Sequence, residues 1–415
     1  MITISKTNRD CTGEIRLPTS KSISNRLLIL QFSYGPELKI KNLSRSDDTV
    51  LLSSLLDLLR QYQLRGETGL LRVDTRNAGA VMRFLLALLT VTRGHYLLIG
   101  NDRMHQRPVG ALVEALRANG ADIEYLDKPG FPPLLVRGRA ISGGRITLDA
   151  SVSSQFLTAL LLLAPKLEEG LTLELTGIPV SWPYVKMTTR ILSELGIQVI
   201  VQENSIRVYH KPVIRGEIEV EPDWSAASFW YCMLSMANKG SIYFPGLRKS
   251  GRQGDQQVAT IFRQLGVDTF EEKNGIRIRK AKQQYTNFQA DFTGYPDLAL
   301  PVILACSAAG ISGSFTGLEQ LRIKESDRIE AITSGLLKTG IYLREEPQGT
   351  WGLSGMMKAP LEVNIPDYED HRIAMTFACL AMKGFTVNFE HPEVVNKSYP
   401  GFWKDLESVG FTVTF

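Results

Sequence analysis

The chain has 415 residues, of which 44% are hydrophobic and 22% are charged, a balance that excludes disordered and fibrous proteins and predicts about two or three globular domains. Its 47 basic and 43 acidic residues give a net charge of +4, and because no long run of like charges occurs, the sequence argues against a nucleic-acid-binding arm. We find no apolar stretch long enough to span a bilayer, no signal peptide and no metal-ligand spacing among the four cysteines, so we expect a cytoplasmic protein with free, buried thiols.

A helical segment of one kind recurs along the chain, and self-similarity at a regular interval is typical of repeat architectures. The segment predicts an amphipathic helix, a glycine that ends the helix and an outgoing strand. In chain order the copies are SLLDLLRQYQL, which is degenerate, ALRANGADIEY with Gly120, ILSELGIQVIV with Gly196, IFRQLGVDTFE with Gly266, LLKTGIYLRE with Gly340 and DLESVGFTVTF with Gly410.

A second kind of segment begins with small or polar residues and continues as an almost entirely apolar helix. The copies are SKSISNRLLIL, NAGAVMRFLLALL, SVSSQFLTALLLLA, WSAASFWYCMLSMA, YPDLALPVILACSAAG and YEDHRIAMTFACLAM. Helices that are apolar on all sides belong inside a domain. Together the two kinds predict six similar units, grouped three plus three into two α/β domains, with a shortened unit between Arg26 and Asn77.

Polar residues gather at the starts of the buried helices, where unpaired N–H groups and a partial positive charge favour anions. Lys21 and Arg26 add two cations at the first start, which suits a phosphate or a carboxylate. Gly79 lets the backbone approach a ligand closely, and uncharged donors at the SVSSQF start suit phosphate oxygens. Taken alone, each start is also explained by an ordinary helix cap or a solvated turn. The candidates in this half are Lys21, Arg26, Gly79, Arg83, Ser153, Ser154 and Gln155.

The second half of the chain adds carboxylates to the cations. Asp297 directly precedes an apolar helix, and an acid in that position is either a cap or a working carboxylate. The segment RIKESDRIEA carries both signs of charge, which by itself is typical of a solvated helix face. The sequence has no Walker loop and no nucleophile elbow. The candidates are many cations and two carboxylates, and this set indicates acid–base chemistry on small polyanionic substrates. The candidates are Asp297, Arg322, Lys324, Glu325, Asp327, Arg328, Asp370, His371, Arg372 and Lys397.

Seven motifs, in order from residue 20 to residue 400, resemble the EPSP synthase family: SKSISNR, NAGAVMR, QRPVG, SVSSQFLTALL, KESDRI, DHRIAM and NKSYP. The resemblance implies two similar inside-out α/β domains, each of three βαβαββ-type units with buried helices, joined by a two-strand hinge. The first domain is expected to span residues 18–221 and the second to combine 1–17 with 222–415, with the active site in the cleft between them.

The resemblance also implies an activity, the transfer of the enolpyruvyl group of phosphoenolpyruvate to the 5-hydroxyl of shikimate 3-phosphate. We expect a monomer that uses no metal or other cofactor and binds neither nucleic acid nor a membrane. Asp297 is expected to act as the base toward the hydroxyl, Glu325 as the acid and then the base at the methylene carbon, and Lys21 to assist proton transfer.

Two sets of binding residues follow from the same resemblance. Those expected to bind shikimate 3-phosphate are Lys21, Ser22, Arg26, Ser153, Ser154, Gln155, Ser181, Tyr184, Asp297, Gln320 and Lys324. Those expected to bind phosphoenolpyruvate are Lys21, Asn77, Gly79, Arg107, Gln155, Arg328, Arg372 and Lys397.

Four positions depart from the family pattern. Ala80 and Phe84 stand where threonine and proline are usual, which leaves the shape of the phosphoenolpyruvate pocket and the sensitivity to glyphosate open. Gln320 replaces an asparagine, and Trp182 replaces a polar or basic residue beside the expected shikimate pocket.

Two other functions stay open at this point. An enolpyruvyl transferase that acts on UDP-N-acetylglucosamine shares the repeat fold, but its usual opening is Lys-Asn where this chain has Lys21-Ser22, and its active-site cysteine has no counterpart. The other is a non-catalytic module on the same scaffold that binds phosphate or nucleic acid. Such a module would not need Asp297 and Glu325 together with cations from both halves.

Overall fold

The computed structural model describes residues 1–283, 286–358 and 361–415. The strands are β1 (Ile2–Ser5), β2 (Cys11–Glu14), β3 (Leu38–Lys41), β4 (Leu70–Asp74), β5 (Gly94–Ile99), β6 (Asp122–Tyr125), β7 (Leu134–Gly138), β8 (Gly144–Asp149), β9 (Leu171–Thr176), β10 (Val199–Val201), β11 (Ser205–Val208), β12 (Gly216–Glu219), β13 (Gly240–Pro245), β14 (Val267–Glu272), β15 (Gly275–Lys280), β16 (Asn287–Asp291), β17 (Ser312–Thr316), β18 (Ile341–Glu346), β19 (Thr350–Gly355), β20 (Glu362–Asn364), β21 (Thr386–Phe389) and β22 (Thr412–Thr414). The α-helices are α1 (Lys21–Tyr34), α2 (Asp47–Leu64), α3 (Gly79–Val91), α4 (Asp102–His105), α5 (Gly110–Ala118), α6 (Ser154–Leu163), α7 (Trp182–Glu194), α8 (Trp224–Met236), α9 (Val258–Gln264), α10 (Ala299–Ala309), α11 (Arg328–Lys338), α12 (His371–Ala378) and α13 (Phe402–Ser408).

These elements form two compact units. Unit 1 contains Met1–Ser20, Arg45–Asp47 and Glu221–Phe415, and unit 2 contains Lys21–Ser44 and Asp48–Val220. Unit 2 is almost continuous in sequence and is inserted into unit 1. Each unit has a hydrophobic core of its own, as is expected of a domain.

Four-stranded sheets in both units share one topology. In the sheet β4-β5-β7-β6, β4 and β5 are parallel and the other neighbouring pairs are antiparallel. Helix α3 connects β4 to β5, and α4 and α5 lead from β5 to the hairpin β6-β7. The sheets β8-β9-β11-β10, β2-β13-β15-β14, β16-β17-β19-β18 and β20-β21-β1-β22 have the same strand order. The predicted βαβαββ unit is therefore confirmed.

Three of the βαβαββ repeats contain a strand from a distant part of the sequence. β1 lies between β21 and β22 and is antiparallel to both, and β2 lies parallel to β13 although unit 2 separates them in sequence. β3 pairs in parallel with β12 in a two-stranded sheet, which is the predicted shortened unit. At the border of unit 1, Thr19 and Pro222 form an antiparallel bridge, and the Ser20 N–H donates to the Glu221 carbonyl at 2.9 Å.

The first helix of a repeat is buried, as its apolar sequence predicts. In α6, nine of ten residues are buried, and in α10, ten of eleven. Full burial of a leucine such as Leu160 contributes roughly 1.5–3 kcal/mol, so these helices account for much of the core. The partly exposed residue of α6 is Gln155, at its polar start.

The second helix of a repeat ends at a glycine in the left-handed region. The φ angles are 96° at Gly120, 74° at Gly196, 81° at Gly266, 87° at Gly340 and 84° at Gly410. Glycine has no Cβ and adopts this conformation without steric cost, so it turns the chain from the helix into the next strand. These are the five glycines of the predicted helix–glycine–strand segments.

The four cysteines are free and buried, as predicted. Burial raises the pKa of Cys11 to about 11, so this thiol stays protonated at neutral pH. Among the described residues, no helix has both the length and the hydrophobicity that a membrane span requires.

Candidate active site

In unit 2, Lys21 is paired with an acid that the sequence motifs do not include. Its Nζ lies 3.0 Å from Oδ2 of Asp48, and the two side chains are 16% and 8% exposed. Lys21 is the first residue of α1 and Asp48 the second residue of α2. The acid fixes the lysine at the start of a buried helix, where the helix N–H groups already favour anions.

Arg26 is buried in unit 2 and, within the described ranges, hydrogen-bonds only to neutral oxygen atoms. Its Nε donates to Oγ1 of Thr188 at 2.8 Å, and its Nη1 donates to the Ser22 carbonyl at 2.7 Å. Its Nη2 donates to Oγ1 of Thr158 at 3.3 Å and to the Tyr184 carbonyl at 3.2 Å. Burial lowers the pKa of Arg26 to about 10, so the guanidinium is charged at neutral pH. A buried cation in neutral surroundings is costly unless an anion approaches it.

The start of α6 lies near this guanidinium. Ser153 caps α6, with its hydroxyl accepting a hydrogen bond from the Gln155 N–H at 3.2 Å. Ser154 is the first helical residue and is buried. One turn later Thr158 contacts Arg26. The predicted Ser153 to Gln155 group and Arg26 are therefore parts of one cluster.

The start of α7 joins the same cluster under backbone strain. Ser181 precedes the helix with φ 51° and ψ 36°, a left-handed conformation that costs a non-glycine residue about 1–2 kcal/mol. Strain of this kind concentrates at functional sites, where the surrounding structure holds it. Tyr184, in the first turn, contacts Arg26 through its carbonyl oxygen, so both predicted residues of this segment lie at one helix start.

A third group in unit 2 surrounds the start of α3. Nη1 of Arg107 lies 3.4 Å from both the carbonyl oxygen and Oδ1 of Asn77. A Cβ atom at Gly79 would lie 2.4 Å from Nη2 of Arg107, so glycine is needed for this close approach. Arg83 donates to the carbonyls of Gly79 at 3.2 Å and Pro108 at 2.9 Å. Arg83 therefore links the start of α3 at Gly79 to the segment that contains Arg107 and Pro108.

In unit 1, Arg328 binds three carboxylates. Its side chain is 2% exposed. Nε lies 2.8 Å from Oδ2 of Asp370, Nη1 lies 3.1 Å from Oδ1 of Asp297, and Nη2 lies 2.8 Å from Oε2 of Glu325. Burial alone would lower the pKa of Arg328, but the three carboxylates raise it above its ordinary value. The guanidinium thus holds both predicted catalytic acids in place.

Asp297 bridges two arginines. Besides its contact with Arg328, its Oδ2 lies 2.7 Å from Nη2 of Arg372. Burial alone would raise the pKa of Asp297, but Arg372, Arg328 and Lys324 outweigh burial and lower it to about 2. Asp297 is therefore ionised at neutral pH, in a short 3-10 turn that directly precedes α10.

Helix caps explain why the motif residues of unit 1 hold their positions. Asp370 caps α12 by accepting from the Arg372 N–H at 3.0 Å, and Asp327 caps α11 by accepting from the N–H groups of Ile329 and Glu330. Each cap sets the direction of a charged neighbour at the helix start.

Three other predicted residues of unit 1 lie in or beside short 3-10 helices. Gln320 belongs to the 3-10 helix Glu319–Ile323, and Lys324 follows it directly. Lys324 acts electrostatically on Asp297. Lys397 ends the 3-10 helix Pro392–Lys397, which packs against α12.

Asp255 is a buried acid that the sequence analysis missed. It lies in the 3-10 helix Gly254–Gln257 and is 3% exposed. Its Oδ2 accepts a hydrogen bond from the Ser225 hydroxyl on α8. Burial raises the pKa of Asp255 to about 7, with a contribution from Asp297, while Ser225 and Arg372 act in the opposite direction. Its local sequence, GRQGDQQV, has the composition of a polar loop.

The two units offer complementary chemistry. Unit 2 presents the cations Lys21, Arg26 and Arg107 with hydroxyl and amide groups at three helix starts. Unit 1 presents two arginines, Arg328 and Arg372, that bind the carboxylates of Asp297, Glu325 and Asp370. Cations of this kind bind phosphate and carboxylate groups, and carboxylates in unequal surroundings can divide acid and base roles.

The sequence profile of the EPSP synthase (3-phosphoshikimate 1-carboxyvinyltransferase) family matches residues 5–406. A 3-phosphoshikimate 1-carboxyvinyltransferase of Bacteroides fragilis (strain YCH46) is 40% identical over 404 residues, which cover 96% of this chain and 95% of the relative. One of Photobacterium damsela subsp. piscicida is 34% identical over 420 residues, which cover 96% of each chain.

A solved structure shares the fold. EPSP synthase from Acinetobacter baumannii superposes with a TM-score of 0.75 at 20% identity and covers 100% of this chain and 99% of its own. At this identity the likeness concerns the fold alone. It agrees with the predicted arrangement of two domains with buried helices.

Proposed function

Because the chain belongs to the EPSP synthase family, we propose that it is a 3-phosphoshikimate 1-carboxyvinyltransferase, an enzyme of the shikimate pathway. It transfers the enolpyruvyl group of phosphoenolpyruvate to the 5-hydroxyl of shikimate 3-phosphate. The observation that carries this function is the family match over nearly the whole chain. The cations of unit 2 and the arginine–carboxylate cluster of unit 1 supply the chemistry that two anionic substrates need.

The reaction proceeds by addition and elimination. The hydroxyl gives its proton to Asp297 as its oxygen forms a bond to C2 of phosphoenolpyruvate. C3 takes up a proton from Glu325, so that the methylene group becomes a methyl group. The C2–O bond to phosphate then breaks, the methyl group loses a proton, and the double bond forms again. The products are phosphate and 5-enolpyruvylshikimate 3-phosphate.

The proposed binding residues for shikimate 3-phosphate centre on Arg26. Its buried charge has hydrogen bonds to neutral oxygens, which leaves it available to attract a phosphate dianion. The hydroxyl and amide groups at the starts of α6 and α7 supply donors around it. In this proposal the set is Lys21, Ser22, Arg26, Ser153, Ser154, Gln155, Ser181, Tyr184, Asp297, Gln320 and Lys324.

The proposed binding residues for phosphoenolpyruvate are mostly cations. Arg107 beside the bare backbone of Gly79 suits a small anion that must approach closely. Arg372 and Arg328 add two guanidinium groups whose present partners are carboxylates. In this proposal the set is Lys21, Asn77, Gly79, Arg107, Gln155, Arg328, Arg372 and Lys397.

We assign acid–base chemistry to Asp297, Glu325 and Lys21. Asp297 is ionised and so has no proton to give, which suits a base toward the hydroxyl. Its low pKa makes it a weak base in the free protein, but a substrate anion at Arg372 would weaken the attraction of that arginine and raise the basicity of Asp297. Glu325 delivers and then removes the proton at C3, and Lys21 assists.

The experiment that tests the function is a phosphate-release assay without added metal. Purified protein is given phosphoenolpyruvate with shikimate 3-phosphate, with UDP-N-acetylglucosamine, or with no acceptor. We expect phosphate release that depends on shikimate 3-phosphate. Release with the sugar nucleotide alone would assign the sister transferase activity, and no release with either acceptor would leave only the fold.

Replacing Arg26 by lysine tests the proposed shikimate 3-phosphate site. Lysine keeps the charge but cannot make four hydrogen bonds in a fork, so we expect the KM for shikimate 3-phosphate to rise about 10- to 100-fold. The KM for phosphoenolpyruvate should change little. Arg190→Lys on α7 is the matched control, because Arg190 is an exposed partner of Glu194 at 3.1 Å. Equal kinetics for the two variants would remove Arg26 from the site.

We also propose that the enzyme works as a monomer in the cytoplasm. The four free, buried cysteines are compatible with a reducing compartment. Gel filtration at micromolar concentration and fractionation of the source cells test the two statements separately.

A further inference from the structure

Asp367 is a buried acid that lies just outside the sequence motifs of unit 1. It is 4% exposed, and its Oδ1 accepts a hydrogen bond from the Glu369 N–H at 2.9 Å. Its Oδ2 accepts from the His391 N–H at 3.0 Å and lies 3.1 Å from Nδ1 of the same histidine. Because a carboxylate only accepts hydrogen bonds, Nδ1 is the donor in this contact. One carboxylate therefore joins two segments that are 24 residues apart in sequence.

The first of these segments is a turn with a strained backbone. Tyr368 and Glu369 both have a φ of 53°, in the left-handed region that residues other than glycine seldom adopt. Such a conformation persists only where the surrounding structure holds it. The carboxylate of Asp367 binds the Glu369 N–H, and its carbonyl oxygen accepts from the Asp370 N–H at 2.8 Å. Asp367 therefore holds the turn at both of its polar groups.

The strained turn leads directly into the arginine–carboxylate cluster. Asp370 follows the turn and caps α12 by accepting from the Arg372 N–H at 3.0 Å. Its carboxylate also binds Nε of Arg328 at 2.8 Å, and Nη2 of Arg372 lies 2.7 Å from Asp297. A shift of the turn would therefore move the cap of α12 and, with it, the guanidinium group of Arg372.

The second segment held by Asp367 leads to Lys397. His391 directly precedes the 3-10 helix Pro392–Lys397, and this short helix packs against α12. The carboxylate of Asp367 thus fixes the start of one helix and the turn before another. Arg372 lies near the start of the one and Lys397 at the end of the other.

We propose that Asp367 is a positioning residue that sets the relative position of Arg372 and Lys397, and thereby the affinity for phosphoenolpyruvate. It acts through the turn before α12 and through His391, without touching the substrate. The proposal rests on the function proposed above, in which both cations bind phosphoenolpyruvate. Because a small anion is bound most tightly when its cations are placed together, displacement of one of them weakens binding.

Replacing Asp367 by asparagine tests the proposal. An amide has one accepting oxygen, so one of the two N–H groups loses its acceptor and faces an NH2 group. We expect the KM for phosphoenolpyruvate to rise about 5- to 50-fold and the KM for shikimate 3-phosphate to stay within a factor of about three. A purely structural role would lower the Tm and leave both KM values unchanged. Asp57→Asn, at an exposed aspartate of α2, is the control.

A second variant tests the route through the turn. Glycine adopts a φ of 53° without steric cost, so a chain with Glu369→Gly depends less on Asp367 to hold the turn. In that background, Asp367→Asn should raise the KM for phosphoenolpyruvate by a smaller factor than in the unmodified chain. An equal rise in both backgrounds would overturn the role of the turn.

His391→Ala tests the route to Lys397 and leaves the turn intact. The His391 side chain is 54% exposed, so this variant should fold even if Asp367→Asn does not. The backbone N–H of residue 391 still binds Asp367, so the KM for phosphoenolpyruvate should rise only about 2- to 5-fold. An unchanged KM in His391→Ala would overturn the route through His391.

Hydrogen exchange followed by mass spectrometry provides a readout without substrate. In Asp367→Asn, exchange should become faster in peptides that contain the turn and in those that contain the 3-10 helix after His391, and stay the same in α8. Absence of phosphate release with shikimate 3-phosphate in the unmodified protein would refute the function, while exchange would still report whether Asp367 holds both segments. An active enzyme whose KM for phosphoenolpyruvate is the same in Asp367→Asn would overturn the positioning role.

Discussion

Replacing Glu325 by glutamine is expected to lower kcat for phosphate release about 10²- to 10⁴-fold, the range that general acid–base groups contribute. The Glu325 side chain is 12% exposed and bonds to Nη2 of Arg328 at 2.8 Å. An amide oxygen can still accept that hydrogen bond, so the fold and both KM values should change little. What the amide cannot do is donate and recover a proton at C3 of phosphoenolpyruvate.

The comparison for this variant is Glu330→Gln, in the first turn of α11. Glu330 is exposed and lies outside the cluster, so kcat should stay within a factor of about two. In D2O, the unmodified enzyme should introduce deuterium into the vinyl group of the product, and Glu325→Gln should do so far more slowly. If kcat of Glu325→Gln stays within threefold of the original, Glu325 serves only as an anchor for Arg328.

Replacing Arg328 by glutamine is expected to destabilise the protein by about 3–5 kcal/mol and to abolish activity, because three carboxylates lose their shared cation. The effect should depend on pH. Asp297 has a lowered pKa, about 2, so its pairing stabilises the fold above its unfolded pKa, near 4, and loses that contribution as the pH falls toward 2. The difference in free energy of unfolding should therefore be large at pH 7 and smaller at pH 3.

Urea unfolding at both pH values measures this difference. Arg322→Gln is the matched control, because Arg322 is 45% exposed and lies 3.6 Å from Asp327 and 3.3 Å from Glu345. Exposed pairs of this kind contribute roughly 0–1 kcal/mol. Arg328→Lys should fall between the two, since it keeps the charge but loses the fork of hydrogen bonds. An equal loss for Arg322→Gln and Arg328→Gln would mean that burial of the cluster has no energetic consequence.

Sequence reasoning predicted the local structure around a candidate residue correctly where that structure depends on a short pattern. Arg372 follows a capping aspartate at the start of an apolar helix, and Gly120 ends an amphipathic one; both patterns lie within a few residues. Because the two kinds of helical segment recur along the chain, the interpretation of one copy supports the same interpretation of the others, and the six repeats could be predicted together. The shortened first unit was visible for the same reason.

The residues that were missed depend on contacts between distant segments. Asp48 reaches Lys21 across 27 residues, and Thr158 and Thr188 reach Arg26 across 132 and 162 residues. A threonine in a buried part of a helix has no local feature that distinguishes a hydrogen-bond acceptor for a distant arginine from an ordinary core residue. Asp255 is acidic in a polar loop, and only its burial beside Asp297 gives it an unusual pKa.

The position of β1 in its sheet affects how this protein is made. Ile2 pairs with Phe389, and Thr3 with Thr414, so β1 leaves the ribosome long before the two strands that lie beside it. Unit 2 ends at Val220 and has all its strands long before synthesis is complete, so it can fold while the chain is still growing. Unit 1 cannot complete the sheet of β1 until β21 and β22 have been made, and until then β1 is an unpaired strand that a chaperone would have to protect from aggregation. β2 is unpaired only until β13 has been made.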